Sequence, residues 1–163
     1  MQQTGPRQPI GGASTWRGAD LAQSTHWIHP LSASAIAEID AAVAGVKGRP
    51  WETLTAEDFP LPEFGPELQR IAAELEDGCG VMKMTGLPVE RYAEAELRAL
   101  YYAIGTHLGT PVQQNGGRGL MRDIRDNSRN GGKRVDSAEG LPWHNDRADV
   151  VALLCVRQAR NGG

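Results

Sequence analysis

The sequence predicts an α+β fold, and three observations carry the prediction. Apolar residues recur at helical spacing in three separate stretches, short apolar runs bounded by Gly and Pro lie between and after them, and the last such run, VVALLCV, is too continuous for a solvated face. Helices dominate the first two thirds of the chain, and strands accumulate towards its end. At 163 residues the chain has the length of one domain with a real core. Its 17 Lys and Arg stand against 20 Asp and Glu and are scattered, which gives no footprint for nucleic acid or for a membrane surface. No apolar run approaches the roughly 20 residues that span a bilayer, and MQQTGPRQPIGG lacks the apolar segment of a secretory signal. Cys79 and Cys155, far apart and in apolar surroundings, are expected as reduced, buried thiols. A cytoplasmic protein is the expectation.

Residues 1–25, rich in Gly, Gln, Ser and Thr, read as a flexible arm, with ordered structure starting near Trp27 and a single domain over 26–163. Leu31-Ser32 opens a first helix, capped by Ser32 or Ser34, with Ile36, Ile39, Val43 and Val46 on one face and Gly48-x-Pro50 as its stop. The stretch 51–67, with three prolines, is a connection holding at most one short helical turn. Leu68, Ile71 and Leu75 mark a second helix ended by Gly78. GVMKMTGLP, 80–88, is a short strand closed by Gly86 and Pro88. A third helix runs from about Ala93 to Leu108, with Leu97, Leu100, Tyr101, Ile104 and Leu108 on a stripe that is expected to pack on a sheet containing Val81 and Val151. GLMRDIRDN, 119–127, is a strand, SRNGGKRVDSAEG, 128–140, is a polar loop, and Trp143 to Val156 is a strand.

At the head of that last strand stand His144, Asn145 and Asp146. Side chains at i and i+2 of a strand point to one face, so His144 and Asp146 can converge on one ion. Imidazole with carboxylate suits ferrous iron when a second histidine completes one face of the octahedron and three positions stay open. The bare H-x-D pattern is unspecific, because four His among 20 acidic residues produce it readily by chance. Read alone, it is equally a polar turn before a buried strand.

The surroundings of the motif add to this. LPWHNDRADVVALLCVRQARNGG, 141–163, resembles the metal-strand segment of the TauD/TfdA family, the iron(II)/2-oxoglutarate dioxygenases related to taurine dioxygenase. The matching parts are the aromatic Trp143, the His144-Asn145-Asp146 triplet, the acidic Asp149, the apolar run Val150 to Val156 and the Gly162-Gly163 turn. GCGVMKMTGLPVERY, IGTHLGTPVQQN and WIHPLSASAIAEIDAAV are similar to segments further upstream in the family, so the resemblance covers about residues 16 to 163. It implies a double-stranded β-helix, or jelly roll, present here as a part, with the N-terminal helices packed on the sheet. It also implies Fe(2+) held by His144 and Asp146, and 2-oxoglutarate as cosubstrate, whose decarboxylation by dioxygen drives hydroxylation of a small organic substrate.

The family's second histidine ligand, and the arginine that holds the distal carboxylate of 2-oxoglutarate, belong to strands beyond the position of Gly163. The expectation is therefore an N-terminal half, inactive by itself, completed by a C-terminal half or a second chain. His26, His29 and His107 precede the motif and are expected in solvent or in hydrogen bonds of the core rather than as replacement ligands. Substrate contacts are assigned by the resemblance to Gln113, Gln114, Asn115 and Trp143, against loop hydrogen bonding for the amides and core packing for the indole. Asp149 is expected to brace the strand, Arg122 and Arg125 to form solvated ion pairs with Asp123 and Asp126, and Cys155 to be inert packing. Two further readings stay open beside the dioxygenase: a metal- or ligand-binding remnant without turnover, and one chain of a split enzyme. Nothing in the sequence selects the substrate or the oligomeric state.

Overall fold

A computed structural model describes residues 9, 11–114, 119–125, 142–146 and 148–158. Its regular elements are helix α1 (Gly18–Ala22), strand β1 (Ile28–Pro30), helix α2 (Ala33–Gly45), helix α3 (Phe64–Glu76), strand β2 (Lys83–Thr85) and helix α4 (Glu94–Leu108). Single 3-10 turns at Trp51–Thr53 and Val89–Arg91 precede α3 and α4 respectively. The architecture is mixed, with helices dominant and one small sheet.

The ends of α2 follow from its sequence. Ser32 caps it, its side chain accepting from the Ala35 amide at 3.1 Å, and the chain then turns away at Gly48, whose φ of +81° a side chain would resist. Glu63, the residue at the N-terminus of α3, makes no side-chain cap. Glu38 of α2 replaces it, its carboxylate accepting from the backbone N–H groups of Glu63 at 3.0 Å and Phe64 at 2.8 Å. One helix thus satisfies the open amides of the next, where a negative charge is also favoured by the helix dipole. At α4 the Ala93 amide donates to Glu96 at 2.9 Å.

These three helices enclose the core. Ile39, Phe59, Phe64, Leu68 and Leu100 are all but inaccessible to solvent, and Ala35, Val43, Ile71, Leu97, Ala103 and Ile104 are buried around them. Burial of five such side chains, each favourable by about 1.5–3 kcal/mol, is the main cohesive contribution. Trp51 meets Tyr102 edge-to-face at 5.2 Å, and the Tyr102 hydroxyl donates to the Glu52 carbonyl at 3.3 Å, which seats the Trp51–Thr53 turn on α4. Below α4, the Gln69 amide donates to the His107 carbonyl at 2.9 Å.

Strands β1 and β2 pair in parallel, Ile28 opposite Lys83, His29 opposite Met84 and Pro30 opposite Thr85. Leu31 and Met82 beside them, and Leu87 beyond Gly86, are partly buried against the helical core. The sheet also touches α3: the His29 imidazole lies 2.9 Å from the Glu67 carboxylate and stacks near Phe64 at 6.4 Å. The segment before β1 folds back on the turn after α3, where the Trp16 indole donates to the Cys79 carbonyl at 2.8 Å. Trp27 is held locally, its indole shared between the carbonyls of Leu21 and Ser24.

Several expectations hold. The strand at 80–88, the third helix, the Ser32 cap and the buried Cys79 are where the sequence puts them. Others are corrected. Among the described residues regular structure begins at α1 rather than near Trp27, and α3 starts at Phe64, inside the stretch read as a connection, with Pro66 tolerated in its first turn. The α4 stripe packs on α2, α3 and the Trp51–Thr53 turn; Val81 lies outside the sheet and Val151 is exposed. Neither 119–125 nor the described part of 143–156 forms a strand, and Cys155 is exposed rather than buried. One physical reason covers the last three. A strand exists through ladder bonds to a neighbour, and no described residue offers 150–156 such a ladder, whatever its apolar content.

Candidate metal centre and its surroundings

His144, Asn145 and Asp146 belong to neither a helix nor a ladder, and all three are exposed. The His144 Nδ1 sits 2.9 Å from the Pro142 carbonyl oxygen. A carbonyl can only accept, so Nδ1 carries a proton and donates to it. Histidine binds metals through either ring nitrogen, and with Nδ1 held by a backbone carbonyl the one left to an ion is Nε2. Two residues on, the Asp146 carboxylate supplies a hard oxygen. An imidazole and a carboxylate are donors that suit a divalent first-row cation, and the pair could offer two protein ligands. Among the described residues no group of three His, Cys, Asp or Glu side chains converges as a metal cluster.

The remaining histidines are engaged elsewhere. His26 Nδ1 is in contact with the Ser24 hydroxyl, His29 with Glu67, and His107 Nε2 donates to the Phe59 carbonyl at 2.8 Å. These are the hydrogen-bonded positions expected of them.

Of the residues assigned to substrate, Trp143 projects fully into solvent. Gln113 and Gln114 are exposed and used by their own turn: the Gln114 amide donates to the Gly119 carbonyl at 2.7 Å, and the Gln113 side chain accepts from the Gly119 amide at 3.3 Å. Asn115 lies outside the described residues. No hydrogen bond among the described residues joins 113–114 to 142–146. Asp149 is exposed as well.

An ion network lies on α4. Arg98 of α4 bonds Asp123 at 2.6 Å and Glu94 at 3.1 Å, and Arg125 reaches Asp123 at 3.5 Å and Glu94 at 3.4 Å. Sequence reading paired Arg125 with its neighbours in the chain; the structure adds α4, through an arginine that no local pattern marks. Asp123 and Glu94 on either side raise the Arg98 guanidinium above its ordinary value, so it is a permanent cation. Next to this network the Tyr101 hydroxyl donates to the Ala152 carbonyl at 2.5 Å. Open clefts on the helical body, lined by Glu38, Arg49, Asp58 and Pro60 or by Lys47, Pro50, Glu96 and Ala99, include no residue of 142–158.

The His-x-Asp segment lies inside the part of the chain that a known family matches. The family described as "Taurine catabolism dioxygenase TauD, TfdA family" matches residues 46–163, and the chain belongs to it. It is thereby a member of a family of dioxygenases. FR-33289 synthase of Streptomyces rubellomurinus is 33% identical over 165 residues, covering 96% of this chain and 48% of that protein. A taurine hydroxylase-like protein, SAT17, of Stachybotrys chartarum is 26% identical over 162 residues, covering 91% and 42%. The chain spans about half the length of the curated relatives it matches. No helix among the described residues is long and apolar enough to cross a membrane.

Proposed function

We propose that this chain is the metal-ligand half of an iron(II)- and 2-oxoglutarate-dependent dioxygenase that hydroxylates a small organic substrate. The observation that carries the reading is the His144-x-Asp146 pair inside the family match, with the imidazole Nδ1 held by the Pro142 carbonyl. His144 Nε2 and Asp146 would hold the iron. Bound iron with 2-oxoglutarate and dioxygen supplies the oxidising chemistry. The chain's own part is to present a neutral imidazole and a carboxylate at fixed spacing and to leave the remaining positions of the ion free. Gln113, Gln114, Asn115 and Trp143 are proposed to face the substrate once the site is closed, their amide and indole groups supplying hydrogen bonds and a stacking surface.

The jelly roll belongs to the proposal too. Val150, Val151, Leu153 and Val156 are about half to more than four-fifths exposed, an apolar run of the kind that a barrel covers. The relatives are about twice as long as this chain, and the rest of the barrel, in the same polypeptide or a second one, is proposed to cover that run and to add the second histidine and the arginine for 2-oxoglutarate. The same two observations keep the split enzyme as a second reading.

The test is anaerobic titration of the 163-residue chain with ferrous iron, followed by assay of succinate released from 2-oxoglutarate. Weak binding that His144→Ala abolishes, without sustained succinate, is expected; loss of a ligand or its support costs about 10- to 100-fold. Iron binding indifferent to both His144→Ala and Asp146→Ala would remove the metal reading. A form extended over the full length of the relatives should produce succinate, and lose that activity with His144→Ala.

A further inference from the structure

Among the described residues of 142–158, one makes a hydrogen bond to the helical body: Ala152, whose carbonyl accepts from the Tyr101 hydroxyl at 2.5 Å. Tyr101 stands on α4 with its ring partly buried against the helical core. A ring set in a packed core has little rotational freedom, so its hydroxyl is a donor at a fixed place. Burial lifts the phenol above its ordinary value, and it stays protonated, and so a donor, through neutral pH. Tyr102, next on the helix, makes the corresponding bond on another side, to the Glu52 carbonyl.

We infer that Tyr101 is a positioning residue for the His144–Asp146 pair, pinning the segment that carries both ligands to α4. The inference rests on the metal reading of the pair. Ala152 follows Asp146 by six residues, so a chain fixed at Ala152 keeps Asp146 within about 20 Å of that point. Without a ladder, the Tyr101–Ala152 bond is the hydrogen bond by which the described residues of the segment are tied to the helical body. An ion binding to a free segment must order it at the moment of binding, and a segment already pinned loses less entropy. Sequence gave no hint of this: Tyr101 sits in the helical stripe and reads as core.

The test uses the 15N-labelled 163-residue chain, with Mn(II) as the paramagnetic probe. In Tyr101→Phe, which keeps the ring and removes the hydroxyl, backbone order parameters at 150–154 should fall while α2, α3 and α4 keep theirs. Mn(II)-induced broadening of the amides at 144–146 should require about 10-fold more metal. Tyr102→Phe, which removes a hydroxyl from the same helix but from no bond to this segment, should change neither. Unchanged order at 150–154, or a looser segment with an unchanged Mn(II) midpoint, overturns the inference. So does an equal effect of Tyr102→Phe. Loss of the helical circular-dichroism signal in Tyr101→Phe also overturns it, because the hydroxyl would then serve the core. Failure of the metal reading is separable: broadening at 144–146 that is absent from the wild type, or that survives His144→Ala, removes the cation site and the positioning role with it, whatever Tyr101→Phe does to the order of 150–154.

Discussion

Asp58 is partly exposed yet strongly perturbed. The Arg49 guanidinium, at 2.7 Å, is the largest cause, followed by the backbone amide and hydroxyl of Thr55, both at 3.0 Å, and together they lower its carboxyl from 3.8 to about 2. The sign is that of a depressed acid: the contribution to stability is present above the unfolded value of 3.8 and is lost as pH falls through about 2. A carbon-detected NMR titration should find the Asp58 midpoint near 2, and a midpoint at the ordinary value would show that the Arg49 and Thr55 contacts do not persist in solution. Tyr92 is the opposite case. Burial first, then the Asp40 carboxylate that its hydroxyl bonds at 2.6 Å, push it up to about 12. Its contribution is complete below the unfolded value of 10 and fades as pH rises through about 12, so the phenolate absorbance of Tyr92 should appear well after that of an ordinary tyrosine. Neither pair was legible in the sequence: Asp58 and Arg49 are separated by a turn, and Asp40 and Tyr92 by a whole helix and strand, and only the fold brings them together.

Among the elements, α3 depends on a neighbour for its start. Since Glu38 accepts from both Glu63 and Phe64, Glu38→Ala leaves two amides without acceptors and should cost about 1–2 kcal/mol, measured as a lower denaturant midpoint with unchanged slope. Glu38→Gln keeps an acceptor and should cost distinctly less; equal losses would mean that charge, not the hydrogen bonds, stabilises the helix start. Helices were readable because 3.6-residue periodicity and local stops determine them, as with Ser32, Gly48 and Gly78. The start of α3 was missed because its signal is on another helix. Strands at 119–125 and 143–156 were overread for a related reason. Apolar content predicts where a strand is comfortable, while its existence needs a partner that residues 143–156 do not contain. The His-x-Asp pair is the reverse: periodicity does not mark it, and its proposed ligand role comes from its chemistry and from the family pattern around it.

At the scale of the whole molecule, Leu153 is 84% exposed in an apolar run without a ladder, which is a template for self-association. Leu153→Glu should lower the concentration-dependent association of the 163-residue chain in sedimentation velocity and leave its melting temperature unchanged, because Leu153 buries little. A large drop in melting temperature would mean that the run is packed in solution. The parallel pairing of β1 with β2 has a consequence in time. Residues 28–30 wait for residues 83–85, and Trp16 for Cys79, so a chain made at about 5–20 residues per second leaves its N-terminal segment without those partners for about 3–13 s. The earliest ordered residues to be synthesised thus dock only after α2 and α3 have been made, and until β2 emerges a nascent-chain protease or chaperone meets Trp16 and Ile28 without their final partners.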